Sequence, residues 1–457
     1  MGADACRLRR CFPLVAGRVR VVTALPISKV ACLMNRRTFV SFGTWCRIGR
    51  AALVGIVGCS WMTGVFAQDP QLTNHPHPDK FVFSNDFEKQ VLTEKFFAEG
   101  ASFADFDGDG HNDIVSGPYW YKGPKFADRF EVYAVEEFPI GSYSQHFLTY
   151  TYDFNRDGHA DVMRVGFPGA ETAWYQNPGP ESVHQKEHWK QHIVFDITDN
   201  ESPGLWNLVG DEKPEFIFQT DGYFGFATPD PNDPYAKWTF HKVSEQIAGG
   251  RFSHGIGVGD VDGDGRIDFL TPGGWLQQPE DWTKGELWKY HQVAFAPAAS
   301  QMYAYDFDGD GLNDILCAVH AHQWGVVWHR QIRDEQGKID FELNWIVGVT
   351  PDQTDHQVVF TQPHAMELVD MDGDGIRDVV TGKRFWAHNG ADPGETDPAV
   401  LYWFKTVREN GKARFVPHLV DANSGVGTQV TVGDVSGDGK PDVVVGNKKG
   451  TFFFRQK

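Results

Sequence analysis

The residues best placed to do chemistry are aspartates at a fixed spacing. Asp105-Phe-Asp107-Gly-Asp109-Gly-His111-Asn-Asp113 puts acids at positions 1, 3, 5 and 9. The pattern returns at Asp153, Asn155, Asp157, His159 and Asp161, and at Asp260, Asp262, Asp264, Arg266 and Asp268. It recurs at Asp306, Asp308, Asp310, Leu312 and Asp314, and at Asp370, Asp372, Asp374, Ile376 and Asp378. The last copy is Asp434, Ser436, Asp438, Lys440 and Asp442. Alternate residues of a tight loop can face one point, so positions 1, 3 and 5 deliver hard oxygens there. Glycine at position 6 permits the turn, position 7 offers its carbonyl, and the acid at position 9 closes the shell. This is the donor chemistry of calcium, and about six ions are expected. Closure at position 9 rather than 12, with no flanking helical periodicity, excludes an EF-hand. The bland alternative is a set of solvated acidic turns, and six near-identical copies weigh against it. The six loops hold 22 carboxylates, whose repulsion loosens each turn unless a cation is present.

A second group of residues breaks the repeat. His254 and His364 lie six residues before their loops, and His146 seven before its own. Strand rise places them at the opposite strand end from the loops, facing a channel mouth. The equivalent positions elsewhere are Glu99, Glu201, Ser300 and Thr428, all polar. The turn holding His320, His322 and Trp324 and the connection opening with Lys383, Arg384, Trp386 and His388 emerge on the same face. Histidine shuttles protons near neutral pH, and Lys or Arg stabilises enolate-like charge, so this set suits proton abstraction next to a carbonyl followed by elimination. The candidate catalytic residues are therefore His254, His320, His322, His364, Lys383, Arg384 and His388. Three histidines also offer the donor set of zinc. Alternatively the two tryptophans and the cations form a binding site for sugar or an acidic polymer, or the face is simply a wet channel.

These loops need a scaffold that repeats with them. A degraded copy, Asn207 to Glu215, fills the one double-length gap, so seven copies start at 105, 153, 207, 260, 306, 370 and 434. Val209 and Glu212 break the third copy, and no metal is expected there. Each loop is followed by a short apolar run, an aromatic segment with Gly/Pro turns, and a third run such as Trp189/His192/Val194. His192, His241, His291 and His418 recur at one position and read as scaffold. Strand-length runs repeating at about 50 residues predict an all-β, seven-bladed β-propeller with four strands per blade over residues 81–457. The segment from Phe81 to Phe97 is expected to add a strand to the last blade.

The Asp-x-Asp-x-Asp-Gly-x-x-Asp loops resemble those of FG-GAP/VCBS repeat propellers, the fold of the integrin α head. The resemblance spans roughly residues 80–457 and implies calcium-binding blades in an extracellular protein. It does not select a function, since that fold serves receptors, lectin-like binders and lyases. Gly255-Ile-Gly-Val-Gly259, Gly273-Gly274-Trp275 and Thr381-Gly-Lys383-Arg384 are also similar to segments of aldos-2-ulose dehydratase-like propellers. That similarity implies a sugar dehydratase, although no cupin-like second domain is present.

The chain has 457 residues, 42 Lys+Arg, 61 Asp+Glu and a net charge of −19. Residues 1–67 hold ten basic residues and one acid, which leaves 32 basic and 60 acidic residues afterwards, a net of −28. That balance argues against a nucleic-acid partner. Arginines before the apolar run Ala51–Val57, with Val65-Phe66-Ala67 before Gln68, predict an export leader over 1–67 and a linker over 68–80. Met34-Asn35-Arg36-Arg37 offers a second start and a twin-arginine signal, and Cys59 an alternative lipid anchor. No membrane span is expected. Only Cys317 remains after the leader, so no internal disulfide staples the mature chain. The sequence thus points to a secreted or periplasmic calcium-binding module for carbohydrate or an extracellular protein surface, with a sugar dehydratase or lyase as the alternative. No nucleophile elbow, phosphate loop or HExxH motif occurs.

Overall fold

The computed structural model describes residues 83–211 and 213–457. The expected leader, Cys59 and the linker lie outside the described residues. The chain is all-β, with only three short 3-10 segments among the described residues.

The strands form successive antiparallel meanders. After β1 (Phe87–Thr93), the first meander is β2 (Ser102–Ala104), β3 (Asp113–Ser116), β4 (Tyr119–Tyr121) and β5 (Arg129–Glu131). The second is β6 (Leu148–Tyr152), β7 (Asp161–Val165), β8 (Ala170–Gln176) and the first half of β9 (Lys190–Trp206). The second half of β9 starts the third meander, with β10 (Glu215–Thr220), β11 (Tyr223–Thr228) and β12 (Thr239–Lys242). The fourth is β13 (Ile256–Gly259), β14 (Asp268–Thr271), β15 (Gly274–Gln277) and β16 (Lys289–Gln292). The fifth is β17 (Gln301–Tyr305), β18 (Asp314–Ala318), β19 (Val326–Arg333) and β20 (Ile339–Val347). The sixth is β21 (Met366–Val369), β22 (Asp378–Gly382), β23 (Leu401–Glu409) and β24 (Lys412–Asp421). The last is β25 (Thr431–Gly433), β26 (Asp442–Asn447) and β27 (Gly450–Gln456), completed by β1, which pairs antiparallel with β27.

Apolar alternation explains why the meanders stack. Seven buried clusters each join residues of two consecutive meanders, and one of them joins the last meander to the first. Phe106, Trp120, Tyr175 and Trp189 link the first two. Ala101, Ile114, Tyr121, Val444 and Phe453 link the last to the first. The recurrent histidines stack on aromatic rings of the preceding strand: His291 on Trp275 at 3.9 Å, His418 on Trp403 at 4.0 Å and His192 on Trp174 at 4.4 Å. They are packing elements.

One close approach depends on glycine. β13 runs parallel to β17, pairing Gly257 with Met302. A Cβ at Gly257 would lie 1.8 Å from the Met302 carbonyl oxygen, so only glycine lets these strands meet.

The acid at position 9 ties each loop to its own sheet. Asp314 is fully buried; Oδ2 accepts the Phe307 N–H and Oδ1 the Gln331 N–H, at 3.0 and 2.8 Å. Asp113, Asp161, Asp268, Asp378 and Asp442 repeat the arrangement. Glu215 keeps the loop-side half of it in the degraded copy. Asp314→Ala leaves two buried N–H groups without an acceptor, and should cost about 2–4 kcal/mol in denaturant unfolding.

Glu367 on β21 offers a pH-dependent test. Burial pushes its carboxyl up to about 7, against the opposing Tyr303 hydroxyl and Arg377. A carboxyl raised in the folded state contributes stability below its unfolded pKa and loses it as pH rises through the folded one. Glu367→Gln should therefore unfold less readily than the parent protein above pH ~7, with the gap closing toward pH ~4.5, in melts across that range.

Candidate functional site

The acidic loops cluster as their spacing implies. One carboxylate oxygen each from Asp105, Asp107 and Asp113 lies within 4.8 Å of the others, as in the sets Asp260/Asp262/Asp268 and Asp306/Asp308/Asp314. Position 1 also shapes the turn: the Asp105 carboxylate accepts the N–H groups of Gly108, Asp109 and Gly110. All three bonds recur at Asp260, Asp306 and Asp370, and the last two at Asp153 and Asp434. Position 5 accepts the N–H of position 7, as Asp310 does from Leu312.

The spacing did not disclose a basic partner. Lys122, Arg330 and Lys405 each reach the acids at positions 3 and 5 of their own loops, and Arg455 reaches position 5. Each lies one residue before the position whose N–H meets the closing acid, or at its counterpart in β27. That rule relates sites 9 to 27 residues apart along the chain, so linear spacing hides it.

The off-repeat residues converge. Glu201 comes from β9, His254 from just before β13, His364 from just before β21, and His322 from the turn between β18 and β19. His254 Nε2 lies 3.0 Å from His322 Nε2, 3.2 Å from His364 Nε2 and 3.4 Å from Glu201 Oε2. His364 Nε2 lies 3.1 Å from the same Glu201 oxygen. The sequence pattern marks the three histidines, whereas Glu201 stands in it only as a polar equivalent of them.

Electrostatics sets the protonation of this cluster. Burial pushes His322 down, against the Asp392 carboxylate, and burial with Arg384 holds His364 well below the usual imidazole range. Burial works against ionised Glu201, but the facing histidines outweigh it and hold the carboxyl well down. His322 Nδ1 lies 2.8 Å from Asp392 Oδ2, and an ionised Asp392 can only accept, so the neutral ring keeps its proton on Nδ1. Its Nε2 lone pair then points at the other imidazoles and the carboxylate. Lone pairs facing one another repel unless a cation lies between them. A tetrahedral ion with nitrogens at 2.0–2.1 Å would space them about 3.3 Å apart, and imidazole suits zinc and its neighbours. The donor set therefore fits a transition metal held by His254, His322, His364 and Glu201. The His322–Asp392 bond is the outer-shell contact such ligands use to fix ring orientation.

Around this cluster the remaining candidates take different places. Arg384 is buried, ion-paired with Glu99 and 3.5 Å from Glu201 Oε2. Lys383 is fully buried, and burial lowers it to about 8, against Asp397, Asp392 and Glu395. His320 Nδ1 accepts the His322 N–H at 3.1 Å, and burial lowers its ring to about 4. His388 is half-exposed; its Nδ1 lies 2.9 Å from Asp392 Oδ1 and its ring stacks 4.5 Å from His322. Trp386, His388 and Asn389 all have left-handed backbone, with φ of 60°, 48° and 57°. Non-glycine residues hold that conformation at a cost, and such strain clusters at functional sites. His146 does not join the group: it stacks on Tyr133 at 4.9 Å, and burial lowers it to about 3. A cleft of about 330 Å³ opens beside His254, lined by Phe252, Pro272, Tyr290 and Pro297.

Comparison with known proteins matches one stretch of the chain to a repeat and the fold to several solved structures. Residues 370–445 match the FG-GAP-like repeat. No curated protein sequence matches the chain. Among solved structures, the chain is similar to the Vibrio cholerae biofilm matrix protein Bap1, at 10 % identity and a TM-score of 0.40, over 81 % of this chain and 91 % of that one. It is similar to rhamnogalacturonan lyase YesW at 12 % identity and a TM-score of 0.41, over 82 % and 76 %. An Agrocybe aegerita lectin that recognises non-reducing terminal N-acetylglucosamine matches at 16 % identity and a TM-score of 0.29, over 75 % and 73 %. No helix among the described residues is long and apolar enough to cross a membrane.

Removing one imidazole tests the centre directly. Protein purified without chelator should carry about one equivalent of transition metal, and His364→Ala should lose it with the fold intact by circular dichroism. Acidification should release the metal too, because the imidazoles must be neutral to ligate.

Proposed function

We propose that the protein is an extracytoplasmic, metal-dependent carbon–oxygen lyase acting on sugars, built on a seven-bladed β-propeller with calcium in six loops. The observation that carries this reading is the convergence of three imidazole nitrogens and the Glu201 carboxylate at 3.0–3.4 Å. The seven meanders, with the last linked to the first, support the propeller. The oxygen sets of the acidic loops support calcium.

The residues divide the work. A zinc ion held by His254, His322, His364 and Glu201 would act as a Lewis acid toward a substrate carbonyl. Asp392 accepts from His388 Nδ1, which leaves His388 Nε2 with its lone pair, half-exposed, beside the cluster. His388 takes a proton from the carbon next to the carbonyl. That C–H electron pair forms a carbon–carbon double bond, the adjacent C–O bond breaks, and the proton on Nε2 passes to the departing hydroxyl, which leaves as water. Arg384 places a buried positive charge 3.5 Å from Glu201 Oε2.

A second reading is a binding module for carbohydrate or a protein surface. Four protein donors can fill a tetrahedral shell, as in closed structural sites, and that favours it. Two measurements decide between them. Metal-loaded protein given a 2-keto sugar should release a product lighter by one water, and His388→Ala should abolish this while keeping the metal. Substrate binding with no mass loss would leave the binding module. Separately, chelation of calcium should lower the melting temperature, since each site at a hundredfold excess over its Kd contributes about 2.7 kcal/mol.

A further inference from the structure

The turn between β26 and β27 carries two adjacent lysines, Lys448 and Lys449. With Lys89 of β1 they line a cleft of about 350 Å³, closed by Phe385, Asn423 and Phe452. The ammonium groups are held against rings. Lys449 Nζ lies 4.3 Å from the Phe385 centroid, Lys89 Nζ 4.7 Å from that of Phe452, and Lys448 Nζ 4.3 Å from that of Tyr143. Lys448 also donates to the Trp386 carbonyl at 3.2 Å. Acids are few here: Glu94 lines the cleft, and Asp421 pairs with Lys89 at 2.8 Å. Neither Lys448 nor Lys449 makes an ion pair among the described residues. Burial, opposed by Glu99, lowers Lys448 to about 8, and burial with the Lys89 charge lowers Lys449. Lys448 is buried and Lys449 partly so; a cation removed from water without a counter-charge is costly, and a bound anion relieves that cost. Their position in a chain whose net charge past residue 67 is −28 makes them stand out.

The cleft is linked to the His/Glu centre through His388, whose ring stacks 4.5 Å from that of His322. Lys448 bonds the carbonyl of Trp386, two residues before His388, and the His388 N–H donates to the hydroxyl of Tyr143, the ring beneath Lys448. We propose that this cleft binds the negatively charged substituent, carboxylate or sulfate ester, of an acidic sugar whose neighbouring portion reaches the metal-ligand cluster. The sugar part of this assignment rests on the lyase reading; the anion site stands without it.

The test is equilibrium binding of three probes to the full, metal-loaded protein: oligogalacturonate, its neutral methyl ester and a sulfated oligosaccharide. At least one charged probe should bind, and more weakly as salt rises. The neutral ester should bind about tenfold or more weaker, as should the charged probe to Lys449→Gln, the loss of one charge-assisted contact. The preferred charged probe identifies the substituent. Equal binding of the neutral ester, no binding of either charged probe, or unchanged binding by both Lys449→Gln and Lys89→Gln would overturn the proposal. Metal content is measured in the same samples. Loss of anion binding with metal retained sinks the cleft alone; charged-probe binding without bound metal upholds the cleft and sinks the lyase reading.

Discussion

One buried carboxylate per meander holds the architecture together. In six of the seven copies the closing acid accepts one N–H from the start of its loop and one from the third strand or the residues just after it, or from the equivalent strand of the last meander. Burial pushes the Asp314 carboxyl up to about 7, and a polar group buried this deeply is tolerated because both of its oxygens are bonded. The bond is local in geometry but not in sequence: 17 residues separate Asp314 from Gln331, and 28 separate Asp378 from Thr406. It fixes the loop against the sheet, and the loop in turn aims its remaining acids at one point. The degraded third copy shows the order of importance. It has lost the oxygen at position 3, yet Glu215 still takes the two loop N–H groups.

With the loops anchored at one end of each meander, the other end is free to vary. Glu99, Glu201, His254 and His364 occupy comparable places at the starts of inner strands, and the turns after β18 and β22 bring His322, Arg384, His388 and Asp392 to them. Residues from 99 to 392 meet within a few ångströms because consecutive meanders stack through apolar clusters. Carboxylates and imidazoles accumulate there: Glu99 and Glu201 against Arg384, and the Nε2 atoms of His322 and His364 at 3.0 and 3.2 Å from that of His254. That set of donors is compatible with a metal ion, and the left-handed backbone of Trp386, His388 and Asn389 lies in the connection that also carries Arg384 and Asp392.

The basic residues over the acidic loops add a second layer. Lys122, Arg330 and Lys405 neutralise part of the acids at positions 3 and 5 from outside. Exposed pairs of this kind contribute little individually, but they lower the repulsion that the loops carry. The loops at Asp153 and Asp260 have Gln176 and Gln277 at the matching strand position, and in the Asp260 loop Arg266 supplies the cation instead, pairing with Asp264.

The sequence by itself determined the all-β class, the loop chemistry and the scaffold role of the recurrent histidines, because each is a short-range pattern repeated at a readable interval. Aspartate spacing within nine residues is a local constraint, and Trp-x-x-His recurs at His192, His241 and His291, with Phe415 taking the tryptophan's place before His418. It also marked His254, His322, His364 and His388 as departures from the repeat. Only the tertiary structure decided which departures meet. It brought Glu201 in as a partner, introduced Asp392 between His322 and His388, and seated His146 on Tyr133 instead. Side-chain convergence depends on how meanders are rotated against one another, and that rotation is set by packing of apolar faces, a property with no linear period in the chain.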